Sequence, residues 1–218
     1  MGGVNWGLAI MQFVVFALAI TVHESAHAWS ANRLGDPTAR MLGRISFNPL
    51  VHLDLFGSLI FPVLLALSGL PVFGWAKPVP VNVLNLRRPR RDSALVSAAG
   101  PASNVALALA AIVIFRLLMV FDRGLVGLVG PDTAQGIIVF LQFCAVINVI
   151  LAAFNLIPIP PLDGGGILAG ILPDNALGFL DIIRPYGFLI LIVLLVSNVI
   201  NLYIGVAVNF AYLLLGVG

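Results

Sequence analysis

The chain has 218 residues, of which 61% are hydrophobic and 9% charged, with a mean hydropathy of +1.10. Soluble domains carry about 25% charged residues, so this composition excludes an ordinary water-soluble fold and points to a multi-pass protein of the cell membrane, with the lipid bilayer as its solvent. The net charge of +2 is too small to suggest a nucleic-acid partner, and the lone Cys144 excludes an intramolecular disulfide and a cysteine-based metal site.

The first apolar run, about Val4 to Ala31, is long enough to cross. It lacks a basic leader, so it reads as a span rather than a cleavable signal. Near its end lies His23-Glu24-Ser25-Ala26-His27, which holds the only glutamate of the chain and two of its three histidines. The second run, Leu55 to Trp75, is interrupted by Gly57, Pro62, Gly69 and Pro71. Basic residues flank it on both sides: Arg33, Arg40 and Arg44 before it, Lys77, Arg87, Arg88, Arg90 and Arg91 after it. Cytoplasmic segments carry the Lys/Arg excess, so this run is expected to be re-entrant or an incomplete span, with a complete span as the alternative. Short extended strands are expected at Met41 to Phe47 and Pro78 to Val83, the prolines suiting a sheet edge.

Ser93 to Phe121 is a clear span whose first half is rich in small residues, which let helices approach closely in lipid. A fourth span, about Thr133 to Ile157, ends in a proline- and glycine-rich stretch containing Asp163. The last apolar region, Ala176 to Val217, is divided by Pro185, Ser197, Asn198 and Asn201 into one good span and a weaker final segment. The expectation is an all-α polytopic membrane protein of about five to six membrane segments with short cytoplasmic strands, forming a single domain over 1–218. Eight of the 11 basic residues fall in the two segments read as cytoplasmic, which brings His27 and Asp163 to the cytoplasmic face.

A helix places residues i and i+4 on one face, so His23 and His27 can hold one metal ion. Glu24, one position round, then reaches a water at the open position. Charged groups within hydrocarbon cost roughly 2.5–3.5 kcal/mol each even on lenient scales, so their concentration here argues for function. A catalytic zinc site takes three protein ligands. Candidates for the third are His52 and the eight aspartates, and Asp163 is the best placed, with three glycines after it to let the backbone bend. Asn155, two helical turns earlier, is a candidate oxyanion donor. His52 and Asp54 could be a further ligand, a proton relay or a gate, or a capped turn with Asp54 as its cap. Asn104 and Asn148 read as polar packing groups, and Arg116 as a snorkelling side chain.

Three elements in order, H-E-S-A-H at 23–27, G-P-A-S-N at 100–104 and N-L-I-P-I-P-P-L-D-G at 155–164, give the chain a recognisable character. It resembles the site-2 protease family of intramembrane zinc metalloproteases, in its short bacterial and archaeal subgroup without PDZ or CBS domains. The resemblance implies zinc on His23, His27 and Asp163, Glu24 as catalytic residue, and Asn155 as an aid to the intermediate. It implies a zinc-dependent endopeptidase that hydrolyses bonds in or near transmembrane helices of substrate proteins, with one zinc per chain. The strand segments would clamp an unwound substrate by backbone pairing. The rival expectation is a metal transporter or metal-sensing membrane protein, since intramembrane His and Asp also serve cation handling. Substrate identity and oligomeric state are not encoded legibly.

Overall fold

The computed structural model describes residues 5–68 and 74–217. In chain order the α-helices are α1 (Trp6–Leu34), α2 (Thr38–Met41), α3 (Pro49–His52), α4 (Phe61–Leu67), α5 (Pro89–Val120), α6 (Asp122–Val129), α7 (Pro131–Asn155), α8 (Asp163–Ile171), α9 (Asp174–Ile183), α10 (Gly187–Val196) and α11 (Val199–Leu215). A π-turn at Phe56–Ile60 precedes α4, and 3-10 turns lie at Val83–Asn85 and Arg184–Tyr186.

Helices α1, α5 and α7 form the central bundle. Each is long and apolar enough to cross a bilayer. Local chemistry sets their ends. Asn5 caps α1 by accepting from the Leu8 N–H at 3.2 Å, and proline opens both α5 and α7, where a missing N–H costs nothing. Gly35 ends α1 in the left-handed region at φ +117°. Small residues line the packing faces. Ala19, Ala28 and Ala31 of α1, Ala108 and Ala111 of α5, and Ala145 and Ala152 of α7 are all buried, consistent with association driven by close backbone approach.

A fourth segment, Asp174–Val196, also meets the length and composition of a span, but both of its ends lie at the same end of the bundle. Asp174 pairs with Arg90 at the start of α5, Gly187 lies against the Pro160 carbonyl, and Leu191 packs on Ile157 beside Ile200. A turn through Asn198, at φ 65°, then sends α11 back antiparallel to α7. Leu215 finishes beside Phe115 and Leu141. By length and composition Asp174–Val196 is the stronger of the last two segments, as expected, and the shorter α11 runs from beside Ile157 to beside Phe115 and Leu141. Arg116, expected to snorkel, instead donates from Nε to the Leu214 carbonyl at 2.7 Å and caps α11.

No described residue lies in a strand. Residues 42–47 form turns and bends, and 76–82 carry no regular secondary structure, with Asn82 in an extended conformation. Pro78 and Pro80 lack N–H groups, and donors on either side of them are used elsewhere: Lys77 N–H bonds the His52 carbonyl at 2.9 Å, and Asn82 N–H bonds Asp36 at 2.7 Å. The interrupted run 55–75 includes 69–73, which lie outside the described residues. Its two ends are neighbours: Trp75 N–H bonds the Gly57 carbonyl at 3.1 Å, so the run begins and ends at one level.

Asp36, fully buried, latches the end of α1 to the segment before α5. Its carboxylate accepts from the Thr38 hydroxyl and N–H, the Asn82 N–H and the Asn85 amide. Burial pushes its pKa up, but these hydrogen bonds outweigh it and hold the group below the ordinary carboxylate range. Asp36→Ala should cost about 3 kcal/mol by thermal unfolding in detergent, because buried donors lose a charged acceptor. The depressed carboxylate contributes fully above its unfolded value of about 3.9, and that contribution is lost as pH falls through the folded value. The Asp36→Ala protein should therefore lose less stability than wild type on acidification below about pH 4.

Candidate metal centre

Helix α1 presents His23 and His27 toward α5 and α8, roughly two to three turns before its C-terminus. The imidazoles meet edge to face at 84°, with their Nε2 atoms 3.0 Å apart. Asp163, in the first turn of α8, completes the cluster. Its Oδ2 lies 3.1 Å from His23 Nε2 and its Oδ1 3.3 Å from His27 Nε2. One ligand atom from each residue falls within 4.8 Å of the others. The expected union of a histidine pair with a distant carboxylate is therefore present in space.

The protons point outward. His23 Nδ1 donates to Asn104 Oδ1 at 2.5 Å, and His27 Nδ1 donates to the Val96 carbonyl at 2.7 Å. Both acceptors lie on α5. With Nδ1 protonated on each neutral ring, both Nε2 atoms carry lone pairs. These two lone pairs and two carboxylate oxygens converge with no hydrogen to share. Asp163 Oδ2 is buried and without a hydrogen-bond partner. Such a set is repulsive unless a cation sits among it. Two neutral imidazoles and one carboxylate are a donor set that suits zinc and leaves a position open. The outer hydrogen bonds fix ring orientation, as metal-ligating histidines require.

Glycine makes room for this geometry. A Cβ at Gly100 would lie 2.6 Å from His23 Nε2 and collide with His27 Nε2. Gly100 and Asn104 are four residues apart on one face of α5, so one clears space for the imidazoles and the other holds one of them. The glycines after Asp163 act differently from expectation. Gly164, Gly165 and Gly166 are helical, not a bend. A side chain at Gly166 would overlap Ser97 of α5, and one at Gly170 would overlap Ala94. Gly166 and Gly170 thus seat α8 on α5, while Gly164 and Gly165 lie against the backbone of residues 156–160, and together these approaches bring Asp163 to the histidines.

Glu24 is half-buried, and its Oε2 accepts from the Val79 N–H at 3.2 Å. Segment 77–82 therefore reaches Glu24. Arg44 fastens it. Its guanidinium is buried without a carboxylate partner among the described residues and donates to the carbonyls of Val51, Lys77 and Pro78. Arg44 was visible in sequence only as a topology charge. Asn104 was read as a packing group, although its spacing from Gly100 in G-P-A-S-N was a usable signal.

His52 is not part of the cluster. It is fully buried on the Ser25 side of α1, its Nε2 2.8 Å from the Ser46 carbonyl. Asp54 caps the following turn by accepting from Gly57 N–H at 2.7 Å, the structural alternative for this pair. Asn155 donates its amide to the Leu151 carbonyl of its own helix at 3.0 Å.

Comparison with known proteins agrees with this chemistry. The model of peptidase family M50 matches residues 11–195. The chain belongs to peptidase family M50. It is 38% identical over 192 residues to the Bacillus subtilis protein named "Putative zinc metalloprotease YwhC", covering 87% of this chain and 83% of that one. It is 32% identical over 200 residues to "Putative zinc metalloprotease Rip2" of Mycolicibacterium smegmatis, covering 89% and 70%. The Mycobacterium tuberculosis protein of the same name is 30% identical over 198 residues, covering 89% and 70%. No solved structure matches significantly. As a family member the chain is a membrane metalloendopeptidase that uses zinc.

Gly100→Ala tests the clearance. Alanine favours a helix over glycine by about 0.8–1.0 kcal/mol, so the fold should survive. The added methyl should push the imidazoles off Asp163. Zinc content of the purified protein, measured against wild type by atomic absorption, should fall to near zero.

Proposed function

We propose that this protein cleaves peptide bonds in or beside transmembrane helices of other proteins, at a zinc held by His23, His27 and Asp163 near the cytoplasmic face. The supporting observation is the convergence of three metal-ligating side chains from two helices, with Glu24 one residue from the first of them. The cytoplasmic side follows from the basic residues around segments 33–44 and 77–91.

Zinc, when bound, would polarise the substrate carbonyl and lower the pKa of water toward about 7. Glu24 is the general base. Its Oε2 is engaged by the Val79 N–H, which leaves Oε1 to take the water proton and later pass it to the leaving amine. Asn155 is the proposed aid to the oxyanion. In that role its amide would have to leave the Leu151 carbonyl when substrate arrives. Segment 76–82, with no strand partner, is suited to hold an unwound substrate by backbone pairing. Lipid-embedded helices hide their scissile bonds in their own hydrogen bonds, so such unwinding is required before attack.

Glu24→Gln should retain zinc while cleavage of a single-span substrate falls by about 10²–10⁴. His23→Ala and Asp163→Ala should lose zinc together with activity. An active, wild-type-free Glu24→Gln preparation would overturn the assignment. Arg44 gives a separate test. Arg44→Met removes the donors that fasten residues 77 and 78 and so loosens the Val79 N–H on Glu24. Zinc should stay bound, and the cleavage rate should drop about tenfold or more, the equivalent of one hydrogen bond to a charged group.

A further inference from the structure

We propose that Asn148, on α7, sets the position of the proton on His23 by fixing which way the Asn104 amide faces. The chain of contacts runs through three helices. Asn148 Nδ2 donates to the Cys144 carbonyl at 2.8 Å. A backbone carbonyl can only accept, so the Asn148 amide cannot be reversed without losing this bond. Its Oδ1 therefore faces α5, where it accepts from Asn104 Nδ2 at 2.8 Å. The same Nδ2 also points at the Ala19 carbonyl, 3.4 Å away. Asn104 Oδ1 is thereby turned to His23, whose Nδ1 must donate to it at 2.5 Å.

Each link forces the next. If the Asn104 amide were reversed, its NH₂ would face His23 Nδ1 and drive the ring proton to Nε2. That proton would then point into the space between His27 Nε2 and Asp163, where the cation belongs. Asn104 is fully buried and Asn148 nearly so, so water does not supply the missing partners. Asn148 touches neither metal nor substrate. It is a positioning residue that acts through Asn104, and its effect is on a tautomer. A residue that merely packs α7 against α5 would stabilise the bundle equally with either tautomer. The inference rests on the zinc reading of the His23–His27–Asp163 cluster. The tautomer, however, is read without metal, so the two ideas fail separately: a wild-type protein that binds no zinc sinks only the former.

The experiment uses the full chain in detergent. Nitrogen-15 NMR of the zinc-free protein, at a pH where the imidazoles are neutral, reports which ring nitrogen of His23 is protonated. Competition with a chromophoric chelator reports zinc affinity. Wild type should show the proton on Nδ1. Asn148→Leu, similar in size but without an acceptor, should show mixed tautomers and a zinc affinity lower by about 10–100-fold. Asn148→Asp is neutral when buried in this apolar setting. It accepts from Asn104, donates its own proton to the Cys144 carbonyl, and should restore both the wild-type tautomer and near-wild-type affinity. Wild-type behaviour in Asn148→Leu would overturn the proposal. So would an Asn148→Asp protein that falls as far as the leucine variant. If Asn148→Leu does not fold, the wild-type spectrum alone decides, because a proton on His23 Nε2 is incompatible with the proposal.

Discussion

Four lone-pair-bearing atoms held around one point, with no proton between them, are the constraint on which the site is built. In the absence of positive charge, His23, His27 and Asp163 would repel one another or take up a proton. By committing each Nδ1–H to an acceptor on α5, the protein turns both Nε2 lone pairs toward the cluster and makes them more basic donors for a cation. Metal affinity is therefore generated by where protons are sent as well as by which residues are present. The low polarity around the cluster makes misplacing one proton more costly than it would be at a wet surface.

Glu24, the proposed general base, is held by a second set of contacts. Segment 77–82 is fastened at one end by Arg44 and at the other by Asp36. Between these fixings the Val79 N–H meets Glu24. Strand pairing is not needed for rigidity here, because side chains supply the partners that a neighbouring strand would otherwise give. This explains how a segment with two prolines can stay ordered without a strand partner. His52 belongs to the same set: its carbonyl holds Lys77 and its ring braces Ser46.

The sequence revealed what depends on residue identity at short range. His23, Glu24 and His27 announce themselves because a helix puts them together and because they are costly in lipid. Asp163 followed from chain direction and the need for a third ligand. The sequence was silent where the outcome depends on contacts between distant segments. Asn104 and Asn148 differ from ordinary packing asparagines only in what faces them. The glycines at 164–166 announced flexibility, yet they serve close approach, Gly164 and Gly165 to the backbone of 156–160 and Gly166 to α5, and the two uses look identical in sequence. Hydropathy favoured 174–196 over 199–215 as a crossing segment. It counts apolar residues and does not report that Asp174 pairs with Arg90 or that Leu191 packs on Ile157.

One helix serves as the common mount. Val96, Gly100 and Asn104 on α5 receive the two imidazoles, and Ser97 and Ala94 on its next face receive α8 and hence Asp163. Every ligand is thus registered to the same rod, none directly to the surrounding lipid. Bilayers of unequal thickness are accommodated by tilting spans, at fractions of a kcal/mol per Å of mismatch. With α5 as the shared reference, such tilting turns the ligand cage as a unit instead of shearing one donor past another. The proposed metal cage is thereby tied to α5, while α9 and α10 pack at the same end without supplying a donor.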